Sequence, residues 1–158
     1  YRVIPVGHLH FSYTPLFFPP FLYLQRELTG KDDLDDVSFA ELQVNANEQS
    51  VYRLGEVLPN VRELKLNKSV LPSIRDLGTS VRNLRVLWLR ESGLTDLDGI
   101  SVLEQLTELY LSFNSISDVT PLGFHDHLAV LDLAAGTGDL ALAMAGRLGP
   151  RGRMTLAD

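Results

Sequence analysis

The sequence predicts an α/β solenoid, a stack of short parallel strands that each return along the opposite side. Three observations carry this reading. Four segments recur every 22 or 23 residues: Leu64-Lys65-Leu66, Leu87-Trp88-Leu89, Leu109-Tyr110-Leu111 and Leu131-Asp132-Leu133. Each is preceded three residues earlier by an apolar residue, namely Val61, Leu84, Leu106 and Leu128. Past the strands, further apolar residues keep the same phase in three units: Leu71, Ile74 and Leu77; Leu94, Leu97 and Ile100; Ile116, Val119 and Leu122.

This is the L-x-x-L-x-L-x-x-N frame of leucine-rich repeats. One unit cannot bury its own leucines, so neighbouring units stack and share a continuous core. The strands then form a short parallel sheet on the concave face, with leucines inward and the alternate residues outward. A weaker copy lies upstream as Leu42-Gln43-Val44, with Phe39 as its leading apolar residue. The N position holds Asn47, Ser69, Ser92, Asn114 and Gly136 in turn. An amide there satisfies the backbone of the turn after the strand; serine does so partly and glycine not at all. Thr120-Pro121 suits a return path with at most one helical turn, because proline has no N–H to donate.

The 158 residues divide into four parts by composition. Residues 1–28 hold seven of the 13 aromatic residues and four of the eight prolines, and read as an irregular extension. The apolar stretch from Pro15 to Leu24 is too short and too broken by proline to cross a membrane, and it does not have the form of a signal peptide. Residues 29–60 read as an N-terminal cap with the degenerate repeat. They begin with an acidic lead-in, Lys31 to Asp36, whose spacing does not match a calcium loop. A short amphipathic helix from Ser50 to Leu58 follows, with Val51, Leu54 and Leu58 on one face. Residues 61–129 are the repeats proper. Residues 130–158 are the last strand and a segment of different character.

Charge and cysteine content bound the function. A formal charge of −6 with no basic cluster excludes a general nucleic-acid binder. The chain has no cysteine, which favours a reducing compartment such as the cytoplasm. With Tyr1 at one end and a pattern interrupted at Asp158 at the other, the sequence reads as a fragment or an imperfect gene product. His8 with His10, and His125 with His127 around Asp126, have no accompanying nucleophile or metal-ligand pattern, and are expected to be surface histidines. No metal site is expected.

The outward residues of the strands are more informative. They place Gln43, Lys65, Trp88, Tyr110 and Asp132 in one column of the sheet, with Arg90 and Glu108 alongside. Trp, Tyr and Arg are the residues enriched at interface hot spots. Lys65, Trp88, Arg90, Glu108, Tyr110 and Asp132 are therefore the candidate partner-binding residues, with Trp88 and Tyr110 expected to be well exposed. The competing structural reading is that Trp88 and Tyr110 simply stack on each other across neighbouring strands.

Between about Thr29 and Leu128 the words around the frame carry a resemblance. They include Leu58-Pro59-Asn60-Val61-Arg62-Glu63-Leu64, Ile74-Arg75-Asp76-Leu77-Gly78-Thr79-Ser80 and Leu109-Tyr110-Leu111-Ser112-Phe113-Asn114. This part resembles the leucine-rich-repeat proteins of cilia that assist maturation and transport of outer dynein arms. The resemblance implies a non-catalytic adaptor that binds protein in the cytoplasm or cilium, with no cofactor.

From Val130 onward a second resemblance begins. Val130-Leu131-Asp132-Leu133-Ala134-Ala135-Gly136-Thr137-Gly138-Asp139 is an apolar strand running into a glycine-rich turn. An alanine-rich helix from Leu140 to Leu148 and a strand from Arg153 to Asp158 follow. The segment resembles the first strand-helix-strand unit of S-adenosylmethionine-dependent ubiquinone and menaquinone C-methyltransferases. It implies Asp132, Gly136, Gly138 and Asp158 as cofactor-binding residues of a truncated methyltransferase. The acid 20 residues after Gly138 has the spacing used to grip a ribose. The repeat frame fails after Leu133, where Gly138 takes an apolar slot, so the two patterns read as unrelated sequences joined inside one shared strand. Half a nucleoside site is expected to serve only as a Rossmann-like cap on the solenoid.

Overall fold

The computed structural model describes residues 34–48, 50–133 and the strand 153–156. The aromatic extension, the acidic residues before Leu34, the glycine-rich turn, the alanine-rich helix and Asp158 lie outside the described residues.

Six short strands form one parallel sheet in strict sequence order: β1 (Phe39–Glu41), β2 (Glu63–Lys65), β3 (Val86–Trp88), β4 (Glu108–Tyr110), β5 (Val130–Leu133) and β6 (Arg153–Leu156). Ala40, Leu64, Leu87, Leu109 and Leu131 pair across the rungs, and each is fully buried. A second buried column, Leu42, Leu66, Leu89, Leu111 and Leu133, runs beside it. Its amides continue the ladder beyond the strands: Leu42, Leu66, Leu89 and Leu111 donate to the carbonyls of Lys65, Trp88, Tyr110 and Asp132 at 2.8–2.9 Å. The leucine period thus becomes a column of stacked side chains, each contributing about 1.5–3 kcal/mol when removed from water.

From β1 to β5 the return segments are single turns. Between β2 and β3 runs a 3-10 helix, η1 (Ile74–Leu77). Those of the next two units are η2 (Ile100–Val102) and η3 (Thr120–Phe124). Pro121 stands at the start of η3, where its missing N–H costs nothing. Ser73 and Asp76 make a reciprocal capping box on η1. The Ser73 hydroxyl also lies 3.1 Å from an Asp96 carboxylate oxygen, tying this return segment to the next. The Asp98 amide and the Ser73 and Thr95 hydroxyls hold the Asp96 carboxyl below its ordinary value, against a partial desolvation. Among the described residues the first unit alone uses an α-helical turn, α1 (Leu54–Val57). The helix expected over Ser50–Leu58 is therefore one turn long, although Val51, Leu54 and Leu58 are buried on one face as the spacing requires.

The turn after each strand depends on the residue in the N position. The Asn114 carbonyl accepts from the Ser92 and Leu94 amides at 3.0 Å, while its amide donates to the carbonyls of Leu89 and Leu111. Ser69 accepts one bond, from the Val44 amide, and Ser92 donates to the Leu66 carbonyl. The residue just before the N position is left-handed in all three units: Lys68, Glu91 and Phe113 have φ of 60°, 54° and 63°.

The first unit departs from the sequence expectation by two residues. Ala40 pairs with Leu64, so Ala40 and Leu42 are the inward residues and Asn45, rather than Asn47, takes the N position. The frame is Val37-x-x-Ala40-x-Leu42-x-x-Asn45, with Val37 buried. Phe39 consequently points outward and is not the leading core residue. Pairing that places Ala40 and Leu42 inward adds Val37 and Leu34 to the core, and this decides the register. The signal in the sequence was a true asparagine at 45, masked by alanine in a leucine slot.

At the other end β6 pairs in parallel with β5, Leu131 with Met154 and Leu133 with Leu156. That offset of 23 residues is the repeat period itself. A strand-helix-strand unit and a leucine-rich repeat both connect adjacent parallel strands through a crossover on one side. The sheet therefore continues across the change of sequence pattern.

Candidate functional site

The outward side of the sheet is ordered by the register. One row across the strands holds Phe39, Glu63, Val86, Glu108 and Val130. The next holds Glu41, Lys65, Trp88, Tyr110 and Asp132, so Glu41 replaces Gln43 in the column expected from the sequence.

Trp88 and Tyr110 stack face to face, with ring centroids 5.4 Å apart and planes 10° from parallel. Such a pair contributes about 0.5–1.5 kcal/mol beyond its buried area. Phe39 meets the other side of Trp88 edge-on, centroids 6.4 Å apart, and extends the pair into a band of three rings. The two larger rings cover each other and are half-buried, not the well-exposed residues anticipated. The structural reading and the interface reading thus meet in one feature: the rings stack, and they do so on the solvated side. The Tyr110 hydroxyl donates to Glu108 at 2.8 Å. Burial, and then that carboxylate, push the phenol above its ordinary value, so it remains a protonated donor at neutral pH.

The charged candidates are already engaged with one another. The Lys65 ammonium is 2.8 Å from Glu41. The Arg90 guanidinium is 3.2 Å from Oδ2 of Asp132 and also donates to the buried Ser112 hydroxyl, which in turn donates to the same Oδ2 at 3.0 Å. Asp132 was expected to face a partner; it is 4% exposed, and its second oxygen, Oδ1, has no hydrogen-bond partner. Its outward register does not give it access, because it lies beneath the arginine and serine that hold it. Ser112, which links Arg90 to Asp132, was not singled out from the sequence. It matters only because β4 sets it between two charged neighbours.

Of the histidines, His127 is exposed, whereas His125 is buried, with Nε2 3.1 Å from the Ile100 carbonyl. It locks η3 onto the preceding unit and is not the surface residue expected. Among the described residues no group of three His, Asp or Glu side chains is placed to hold a metal, and no helix is long and apolar enough to cross a membrane. Gly136, Gly138 and Asp158 lie outside the described residues.

Comparison with known proteins agrees with this geometry. A family model described as Leucine Rich repeats (2 copies) matches residues 82–124. Leucine-rich repeat-containing protein 56 of Mus musculus is 52% identical over 106 residues, covering 67% of this chain and 19% of the mouse protein. The Homo sapiens protein is likewise 52% identical over 106 residues, and a homolog from Trypanosoma brucei brucei is 39% identical over 101. The chain spans about a fifth of the length of these mammalian relatives. Among solved structures, an internalin C2 from Listeria monocytogenes superposes with a TM-score of 0.50 at 19% identity, over 78% of this chain and 63% of that one. Repeat frame, sheet and likenesses together make the fold a leucine-rich-repeat solenoid, similar in sequence to leucine-rich repeat-containing protein 56.

Proposed function

We propose that the chain is a non-catalytic protein-binding module that takes its partner on the concave face, acting as an adaptor in outer dynein arm assembly or ciliary transport. The observation that carries the binding reading is the band of Phe39, Trp88 and Tyr110 on the outward side of the sheet. The core needs no large ring there, and a rigid aromatic platform buries much area on contact at little cost in side-chain freedom. Lys65, Arg90 and Glu108 flank it, each held by a neighbouring side chain, so they meet a partner already ordered. Asp132 acts through Arg90, which it anchors. The ciliary and cytoplasmic setting is supported by the resemblance of the repeat words to the ciliary proteins. Replacing Trp88 and Tyr110 together with alanine is expected to abolish capture of outer-dynein-arm components from ciliated-cell extract while the circular dichroism spectrum stays unchanged. Equal capture by mutant and parent would remove this face from consideration.

A methyltransferase reading draws on one observation, the parallel pairing of β5 with β6. Asp132 does not suit it. The carboxylate that would approach the cofactor's amino-acid end is buried and occupied by Arg90 and Ser112. A ligand of this size needs most of its surface enclosed to offset its lost freedom. In our reading the chain takes no cofactor, and calorimetry with millimolar S-adenosylmethionine should show no saturable heat. Saturable binding that disappears in Asp158→Ala would reinstate the methyltransferase reading.

A further inference from the structure

From β1 to β5 the outward face carries four carboxylates, Glu41, Glu63, Glu108 and Asp132, and two cations, Lys65 in the strand rows and Arg90 just past β3. Both cations are consumed within the face, Lys65 by Glu41 and Arg90 by Asp132. Glu63 and Glu108 then remain with no cation at ion-pair distance among the described residues. They occupy the same row, with Val86 between them, because Val86 pairs with Glu63 on one side and with Glu108 on the other. Two rungs of a parallel sheet set them roughly 10 Å apart. The aromatic band lies along the same stretch, from Phe39 in this row to Trp88 and Tyr110 in the next.

We propose that the partner presents an amphipathic α-helix that lies across the strands, with basic residues at positions i and i+7 and apolar residues at i+3 and i+4. The inference rests on the concave-face reading above and adds the chemistry of the occupant. Seven helical residues rise about 10.5 Å and return to nearly the same face, which matches the separation of the two acids. The apolar pair between them falls over Val86 and the Trp88 ring, the arrangement of a helix laid in a groove. An extended strand repeats one face only every 7 Å or so, and places no second cation at the required distance. Glu108 can accept a partner's cation because Tyr110 engages only its Oε2 atom. An acidic segment or a nucleic acid would instead set like charge against two carboxylates that no cation neutralises at ion-pair distance among the described residues.

The test uses the full chain and a display library of single-helix peptides of about 14 residues, four turns, randomised in sequence. Binders that are lost on the Trp88→Ala/Tyr110→Ala chain are expected to converge on Lys or Arg at i and i+7 around an apolar pair. Glu63→Gln with Glu108→Gln should weaken the selected peptide about tenfold and flatten its salt dependence, since the interaction is between charges near the surface. Glutamine retains the acceptor for Tyr110, so the aromatic band stays in place. Binders that need Trp88 and Tyr110 but show no basic pair, or ignore the glutamine substitutions, overturn the basic helix and leave the concave-face reading standing. Binders indifferent to all four residues, or no binders at all, overturn both.

Discussion

Leu109→Ala is expected to lower the stability of the solenoid by about 2–5 kcal/mol, the range for a leucine lost from a packed core. Leu109 is fully buried at the centre of β4, with Leu87 and Leu131, both equally buried, opposite it on the adjacent strands. The ladder on either side holds the rungs at fixed spacing, so the cavity cannot close by collapse. In a stack where each unit touches only its neighbours, a defect in a central rung weakens two interfaces together. Urea titration followed by circular dichroism should show the midpoint falling. Gln43→Ala, on the exposed side, should move it by less than about 0.5 kcal/mol. A midpoint unmoved by Leu109→Ala would contradict the register.

Gly78→Ala is expected to destabilise by about 2–4 kcal/mol, from backbone strain and overpacking together. Gly78 follows η1 with φ 72° and ψ −164°, a region open almost exclusively to glycine. A Cβ there would come within 2.2 Å of the Tyr52 carbonyl oxygen, a backbone atom that cannot swing aside. The return segment of the second unit packs at this point against the chain leading into α1. Thermal melting should show the loss, and Gly93→Ala provides the contrast. Gly93 also has positive φ, but its Cβ would meet nothing within 4 Å, so only strain remains. Equal melting temperatures for Gly78→Ala and the parent would refute the close approach. Gly78, the last residue of Arg75-Asp76-Leu77-Gly78, is thus demanded by the turn itself.

The architecture was legible in the sequence because its signal is physical and repeated. A leucine column every 22 or 23 residues can be buried only by stacking, and the buried set from Leu64 to Leu133 follows it. Asn114 likewise announced its turn, since an amide offers two donors and an acceptor oxygen at once, where a serine hydroxyl has a single donor. The first rung was not legible. With Ala40 in a leucine slot, two frames compete locally, and only the burial of Leu34 and Val37 selects between them. That selection moved Phe39 from the core to the outer face and made it part of the aromatic band. The sequence alone thus determined the repeat, the inward columns and which side chains face outward from β2 to β5. Tertiary structure decided what those outward residues do: Trp88 and Tyr110 cover each other, Asp132 sinks beneath Arg90 and Ser112, and Glu63 and Glu108 are left without a cation at ion-pair distance among the described residues. Inward or outward is a matter of period along one chain, whereas each pairing depends on which neighbour the stacking of rungs sets at contact distance.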